Sequence, residues 1–125
     1  MKIYVSHSRL FDFKSDLYEP LKNSGIDAEF IFPHKNSDEP FDSKRLFESK
    51  GCDLVLAEGS YQSTGQGIEL GWANLLGIKI ISMYKSGTRI SNSQKMISET
   101  VIEYDNEADM IEKLKIKYDA QAFGA

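Results

Sequence analysis

This sequence has a single cysteine, no long apolar run and no excess of positive charge, and each of these features excludes a class of protein. One cysteine, Cys52, among 125 residues excludes an internal disulfide framework and a zinc site built on cysteines. The apolar stretches are far shorter than the roughly 20 residues that cross a bilayer. The net charge of −4, with no cluster of Lys or Arg, argues against nucleic acid or an anionic membrane as the main partner.

Histidine is also scarce, and the termini carry few signals. The two histidines lie far apart and offer no metal-ligand spacing, so we expect neither a metal nor another cofactor, and His7 is interpreted as structural. The chain enters a strand pattern at Ile3, with no room for a signal peptide, and we expect a cytoplasmic protein. Residues 1–119 are predicted to form a single domain and residues 120–125 a flexible tail.

Strand and helix patterns alternate along the whole chain. Near-continuous apolar runs at 53–57 and 78–83 are typical of strands buried on both faces of a parallel sheet. Shorter β-branched and aromatic runs predict further strands at 3–5, 28–32 and 100–104. The predicted helices occupy residues 12–23, 42–50, 68–76, 93–98 and 107–118. Pro20 is expected to kink or break the first of them, and Gly51 to end the second. The last helix is predicted to face the core with Ala108, Ile111, Leu114 and Ile116.

This alternation predicts a doubly wound α/β fold, in which a five-stranded parallel sheet of flavodoxin-like order 2-1-3-4-5 has helices on both faces. Ligands of such sheets bind beyond the carboxyl ends of the strands, where the strand order reverses. In this order the reversal lies between the first and third strands. The loops at 6–11, 58–67 and 84–93 are therefore predicted to converge on a binding crevice.

The segment from Ser63 to Gly71, Ser-Thr-Gly-Gln-Gly-Ile-Glu-Leu-Gly, combines a glycine-rich turn with the start of a helix. The N–H groups of Gly65 and Gly67, with the helix N-terminus and the Ser63 hydroxyl, suit a phosphate or a carboxylate. A tight turn without a ligand explains the glycines equally well. Glu69 falls in the first turn of the predicted helix, where the dipole favours its ionised form by about 0.3–1 kcal/mol. It is either a nucleophile or an ordinary helix-terminal glutamate.

Residues 53–73, Asp-Leu-Val-Leu-Ala-Glu-Gly-Ser-Tyr-Gln-Ser-Thr-Gly-Gln-Gly-Ile-Glu-Leu-Gly-Trp-Ala, closely resemble the core of the nucleoside 2-deoxyribosyltransferase superfamily. The resemblance is nearest to the branch of 2′-deoxynucleoside 5′-phosphate N-hydrolases, and it extends more weakly from Tyr4 to about Ile97. It implies cleavage, by hydrolysis or transfer, of the N-glycosidic bond of a (deoxy)nucleoside or its 5′-monophosphate. It also implies a homodimer or a higher homo-oligomer.

The resemblance implies roles for individual residues as well. Glu69 matches the glutamate that attacks C1′ of the sugar and forms a glycosyl-enzyme ester. Ser63 stands where the transferases commonly place a carboxylate that would repel phosphate, and this favours a 5′-phosphate. Arg9 matches an arginine that pairs with phosphate or stacks on a base. The other implied substrate or phosphate contacts are Ser6, Ser8, Gly65, Gly67 and either Ser91 or Ser93, the last two in a loop that resembles one reaching a neighbouring subunit.

One position departs from the family pattern. The superfamily usually has an aspartate in the helix before the strand at 53–57, and its spacing places Arg45 there. Asp42, Glu48 and Glu58 are the candidates to replace this proton-transfer partner, a function typically worth about 10²–10⁴-fold in rate. If none serves, a non-catalytic nucleotide-binding or sensing domain is the alternative. A third interpretation, a TIR-like NAD glycohydrolase, is disfavoured by the Ser-x-Gly-x-Gly-x-Glu-Leu-Gly loop.

Overall fold

Five parallel strands form one sheet in the order β2-β1-β3-β4-β5, which confirms the predicted doubly wound α/β fold. The structure is a computed structural model that describes residues 1–122, with the side chains of residues 1–119. The strands are β1 (Lys2–His7), β2 (Glu29–Ile31), β3 (Leu54–Glu58), β4 (Lys79–Lys85) and β5 (Thr100–Tyr104). The described helices are α1 (Glu19–Lys22), α2 (Ser43–Glu48), α3 (Thr64–Leu75), α4 (Asn92–Ile97) and α5 (Glu107–Ala122).

Each face of the sheet carries its own apolar cluster because successive strand residues point in opposite directions. In β1, Ile3 and Val5 belong to one cluster and Tyr4 to the other. The first cluster is covered by the helical region around α1 and by α5, through the buried residues Leu17, Leu21, Met110 and Leu114. The second is covered by α2 and α3, through Phe47, Leu70 and Ala73. Helices therefore lie on both faces, as predicted.

The helical region before β2 changes type instead of breaking at Pro20. Residues Lys14–Tyr18 form a π-helix, which leads directly into α1. Pro20 lies at the second position of α1, where the missing N–H is tolerated.

Two helix ends differ from the prediction. The left-handed residue after α2 is Lys50, with φ of 57°, and not Gly51. A Cβ at Gly51 would lie 2.5 Å from the Cδ1 atom of Leu46 and 3.2 Å from its carbonyl oxygen, so a larger residue there would require Leu46 to move. Helix α5 extends through Ala122, so residues 120–122 of the predicted tail are helical, and residues 123–125 lie outside the described part of the chain.

The inward face of α5 was also predicted only in part. Met110 and Leu114 are buried and Ile111 is half-buried, but Ala108 is exposed and Ile116 is 62% exposed. Met110 and Leu114, which are four residues apart, lie on the same face of α5, and the helix packs through that face. Ile116 lies outside it. In the part of the chain that the structure describes, no helix has the length and hydrophobicity needed to span a bilayer.

Candidate active site

A cavity of about 340 Å³ opens at the end of β1, where the strand order reverses. This is the location predicted for a crevice in a doubly wound sheet. Four parts of the chain line it: the end of β1 and the residues just after it, the loop from Pro33 to Phe41, Ser43 at the start of α2, and the first turns of α3.

Glu69 lines this cavity, and both oxygens of its carboxylate accept hydrogen bonds from β1. The Ser6 hydroxyl donates to Oε1 at 2.6 Å, and the Tyr4 hydroxyl donates to Oε2 at 3.0 Å. Both donors are buried, and they point to the same face of the sheet because they are two residues apart in a strand. A strand and a helix, which are rigid elements, therefore fix the position of the carboxylate.

Tyr4 is a permanent donor in this pair. Burial, and then the Glu69 carboxylate, raise the pKa of Tyr4 far above its ordinary value, so its hydroxyl stays protonated. The rings of Phe41 and Phe47 pack against it, with centroids 5.6 Å and 5.4 Å away. Ser6, predicted to contact substrate, does not line the cavity, and its hydroxyl is directed at Glu69 instead.

Helix α3 begins four residues earlier than predicted, at Thr64 instead of Ile68. Ser63 caps it, because the Ser63 Oγ accepts the N–H of Gln66 at 3.3 Å. Glu69 is therefore in the second turn and not in the first. Since the effect of the helix dipole falls off beyond the first turn, the carboxylate is stabilised mainly by Ser6 and Tyr4.

The N-terminus of α3 offers donors at one end of the cavity. The Ser63 hydroxyl accepts a hydrogen bond and keeps its own proton for a ligand. The N–H groups of Thr64 and Gly65, the first two of the helix, have no acceptor among the described residues. The N–H of Gly67, in contrast, donates to the Ser63 carbonyl at 3.1 Å, so this amide is engaged within the helix.

The glycines of α3 are not required by the fold. None of Gly65, Gly67 and Gly71 has a positive φ, and a Cβ atom on any of them would meet nothing closer than 4.0 Å. A glycine inside a helix nevertheless costs about 1 kcal/mol relative to alanine. Gly65 lines the cavity and Gly67 lines a neighbouring one. A ligand that approaches the backbone closely would account for glycine at these two positions.

The neighbouring cavity has a volume of about 360 Å³ and shares Ser63 with the first. Ser91 lines it from the start of α4, where it caps the helix by accepting the N–H of Gln94 at 3.1 Å. Ser91 and Ser63 of the same chain thus face one space. Ser93 is exposed on α4 and lines neither cavity.

Gln66 joins the two strands that border the crevice, and the sequence did not single it out. Its Nε2 donates to the Ser6 carbonyl at 3.2 Å and to the Glu58 carbonyl at 2.9 Å. The ends of β1 and β3 are therefore held at a fixed separation. The pattern Ser-x-x-Gln at 63–66, which is typical of a helix N-terminus, was the available signal.

The loop after β1 contributes Arg9 to the cavity but not Ser8. Ser8 is buried, and its hydroxyl accepts the N–H of Leu10 at 3.1 Å, which shapes the turn. Arg9 lines the cavity and pairs with Asp38 at 3.5 Å, with both side chains well exposed.

None of the three carboxylates considered as partners of Glu69 lines the cavity. Asp42 caps α2, where it accepts the N–H of Arg45 at 3.1 Å. Glu48 is exposed at the end of the same helix. Among the described residues, Glu69 is the single carboxylate that lines this cavity.

Glu58 is fully buried behind the crevice. It accepts the N–H of Ser60 at 2.5 Å and a hydrogen bond from the Tyr104 hydroxyl. Burial raises the pKa of Glu58 above its ordinary value, although these two donors act in the opposite direction. Both its oxygens are engaged away from Glu69.

Both histidines lie at the cavity wall, joined by Tyr18. His7 Nδ1 is 2.7 Å from the Ser8 carbonyl, and His7 Nε2 is 2.6 Å from the Tyr18 hydroxyl. The carbonyl accepts from Nδ1–H, so Nε2 accepts from Tyr18. The Tyr18 oxygen in turn accepts the backbone N–H of His34 at 3.2 Å. Burial lowers the pKa of His7 to about 4, which keeps its ring neutral near pH 7. In the described part of the chain, no group of three His, Cys, Asp or Glu residues is arranged to hold a metal.

No protein-family model matches the chain, and no curated protein matches it significantly. Solved structures do match it. The CMP N-glycosidase BcmB of Clostridium botulinum is 25% identical, with a TM-score of 0.62, over 92% of this chain and 99% of its own. A 2-deoxyribosyltransferase of Bacillus psychrosaccharolyticus is 20% identical, with a TM-score of 0.56, over 89% of this chain and 90% of its own. A conserved protein of Enterococcus faecalis is 18% identical, with a TM-score of 0.57, over 94% and 98%.

Two of these neighbours are named as enzymes, one as an N-glycosidase and the other as a 2-deoxyribosyltransferase. Their similarity covers 92% and 89% of this chain, respectively. The resemblance carried by residues 53–73 is thus confirmed at the level of the fold, and the chain has the nucleoside 2-deoxyribosyltransferase-like fold.

Proposed function

We propose that the protein cleaves the N-glycosidic bond of a nucleoside 5′-monophosphate, with Glu69 as the nucleophile. The observation that carries the proposal is that one cavity contains both a carboxylate fixed by two buried hydroxyls and the donor-rich N-terminus of α3. Ser63 and Glu69 are six residues apart, a rise of about 9 Å along the axis, and helical side chains lean back towards the N-terminus. This spacing suits a sugar that has its phosphate at Ser63 and its C1′ atom at Glu69.

The reaction would proceed in two steps. A Glu69 oxygen attacks C1′, and the base leaves with the electron pair of the C1′–N bond, which produces a glycosyl ester of Glu69. Water then attacks C1′ and gives hydrolysis, or a second base attacks and gives transfer. The hydrogen bonds from Ser6 and Tyr4 orient the carboxylate for attack, and they stabilise it again when the ester is cleaved.

A 5′-phosphate is favoured over a free 5′-hydroxyl by the donors at the end of α3. The Ser63 hydroxyl and the N–H groups of Thr64 and Gly65 attract an anion, and no carboxylate stands at position 63 to repel it. Arg9 adds a positive charge on the cavity wall. Because the neighbour with 25% identity is a CMP N-glycosidase, CMP is the first substrate to test.

The test is base release from a panel of ribo- and deoxynucleoside monophosphates and free nucleosides. We expect release from at least one monophosphate, and we expect Glu69→Gln to lose at least about 10³-fold in rate, because an amide is a poor nucleophile. Glu112→Gln, which changes an exposed carboxylate on α5, serves as the matched control. The proposal fails if nothing on the panel is cleaved, or if Glu69→Gln is as active as the parent.

A second candidate function is nucleotide binding or sensing without cleavage. It is favoured by a specific observation: no second carboxylate among the described residues lines the cavity, and exposed Arg45 stands where the family pattern has an aspartate. Calorimetry separates the two functions, since tight binding of a monophosphate with no base release supports the second. Release of nicotinamide from NAD would instead support the TIR-like interpretation.

We also infer that the protein forms a homodimer or a higher homo-oligomer. Large exposed apolar side chains on α3, at its C-cap and on α4 support this, with Leu75 83%, Ile68 51%, Leu76 45% and Met96 85% exposed. Sedimentation measurements would test it. We expect the parent to sediment as an oligomer and Leu75→Glu to shift towards the monomer, and a monomeric parent would contradict the inference.

A further inference from the structure

The proposed cleavage needs a group that protonates the departing base, and Glu69, as the nucleophile, does not supply it. The present inference rests on that proposed function and identifies the missing acid. Three nitrogen-bearing side chains with acid–base or cationic character line the cavity: His7, Arg9 and His34.

Two of these three are unsuited to proton transfer. His7 is buried with both ring nitrogens engaged, one with the Ser8 carbonyl and the other with the Tyr18 hydroxyl. Its ring is neutral and presents no free nitrogen to a ligand. Arg9 keeps its proton under all ordinary conditions, so it can attract a charge but cannot exchange a proton.

His34 has the opposite arrangement. Its backbone N–H donates to the Tyr18 oxygen at 3.2 Å, which anchors the residue at the cavity wall. Its Nδ1 lies 3.3 Å from the Ser37 carbonyl, so Nδ1 carries the proton that this carbonyl accepts. Among the described residues no group forms a hydrogen bond with Nε2. Imidazole is also the side chain whose unperturbed titration lies nearest to neutral pH.

We propose that the His34 imidazole, through Nε2, is the acid–base group for the leaving base. In the first step Glu69 bonds to C1′, the C1′–N bond breaks, and its electron pair goes to the base, which takes the proton from His34 Nε2–H. In the second step neutral Nε2 takes a proton from water, whose oxygen bonds to C1′ as the ester bond to Glu69 breaks. The sugar phosphate leaves, and both Glu69 and protonated His34 are regenerated.

The charged and titratable groups around His34 come from three elements and the adjoining loops. His7 lies with its ring centroid 5.8 Å away, and Tyr18 accepts the backbone N–H. Arg9 and Glu69 share the cavity wall, and Asp38 pairs with Arg9. Removing His34 leaves the ion pair and the Glu69 contacts in place, which makes the substitution a clean one.

The experiment compares His34→Gln with Lys35→Gln, an exposed neighbour in the same loop that does not line the cavity. Each is assayed on the monophosphate that the parent cleaves best and on its analogue with an electron-withdrawing group on the base, which for CMP is the 5-fluoro derivative. We expect His34→Gln to lower kcat about 100-fold on the natural substrate and much less on the analogue, because a better leaving group depends less on protonation. KM should stay within a few-fold, the pH–rate profile should lose one limb, and Lys35→Gln should match the parent.

Equal losses on both substrates, or no loss on either, would overturn the assignment of His34. That result is distinct from failure of the proposed function. If the parent releases no base from any monophosphate, the cleavage itself is wrong and His34 has no base to protonate. If the parent is active, Glu69→Gln is inactive and His34→Gln remains fully active, only the present inference falls.

Discussion

Ser6 donates a hydrogen bond of 2.6 Å to Glu69, and so connects the end of β1 to the second turn of α3. Ser6 is completely buried, so this hydroxyl acts on the carboxylate and not on solvent. Tyr4 completes the arrangement from the same strand face. The reactivity proposed for Glu69 therefore depends on two residues that lie behind it.

We predict that Ser6→Ala lowers kcat by about 10- to 100-fold with little change in KM, because a hydrogen bond to a charged group is worth about 1.5–3 kcal/mol. Ser82→Ala is the matched control, since Ser82 is equally buried on β4 and bonds to Ser98 and Gln94. Steady-state kinetics on the best monophosphate provides the measurement. An unchanged kcat, or a change confined to KM, would show that Ser6 does not orient the nucleophile.

We predict that two glycine substitutions with similar effects on the stability of α3 differ in their effect on monophosphate binding. Gly71→Ala and Gly65→Ala should each raise the free energy of unfolding by about 0.5–1 kcal/mol, because both positions accept a Cβ and alanine favours the helix. Gly65→Ala should also weaken monophosphate binding, since Gly65 lines the cavity and an added Cβ would lie 4.0 Å from Ser63 Oγ, whereas Gly71, which does not line it, should tolerate alanine. Urea denaturation and calorimetry measure the two effects. Tight binding by Gly65→Ala would place the phosphate elsewhere.

We predict that His7 makes the protein less stable in acid. Burial lowers the pKa of His7 in the folded state to about 4 from 6.5. Below pH 6.5 the unfolded chain gains a proton that the folded chain does not, so stability falls between pH 6.5 and pH 4, by about 2–4 kcal/mol at 1.36 kcal/mol per pKa unit. When the free energy of unfolding is measured by urea denaturation at several pH values in this range, it should change less with pH for His7→Phe than for the parent. Parallel curves of unfolding free energy against pH for His7→Phe and the parent would contradict the prediction.

We predict that Glu58 contributes the opposite pH dependence. Burial raises the pKa of Glu58 in the folded state, so the folded chain binds this proton more tightly than the unfolded chain. The resulting stabilisation is present below the ordinary value of 4.5 and is lost as the pH rises through the raised value. Glu58→Gln, which cannot ionise, should lose less stability than the parent from pH 4.5 upwards. Identical pH slopes of the unfolding free energy for Glu58→Gln and the parent would refute the idea.

The sheet and the position of its crevice were predictable because they depend on patterns within short segments. Apolar runs identify buried strands, alternation with helices makes the sheet parallel, and the order of strands places the crevice. The partners of Glu69 were not predictable in this way. Tyr4 and Ser6 are 65 and 63 residues away, and these contacts depend on how α3 lies over β1.

The start of α3 was mispredicted because Gly65 and Gly67 were interpreted as part of a turn. In the structure the cap at Ser63 outweighs the poor helix propensity of the two glycines. The face of α5 was predicted only in part for a related reason, since apolar residues at more than one spacing compete and packing buries Met110 and Leu114. Both errors arise where local preference is weak and tertiary contacts decide.

The residues that hold Glu69 and those that form the opposite part of the cavity come from different kinds of structure. Ser6, Tyr4 and Gln66 belong to β1 and α3, whereas Pro33, His34, Pro40 and Phe41 belong to a single surface loop. Loops accept substitution and changes of length far more readily than a central strand does. Replacing this one segment would remove His34, the acid–base group that we propose, while leaving the Glu69 carboxylate and its donors Ser6 and Tyr4 in place. The two groups proposed to react are thus carried by parts of the chain that can change independently.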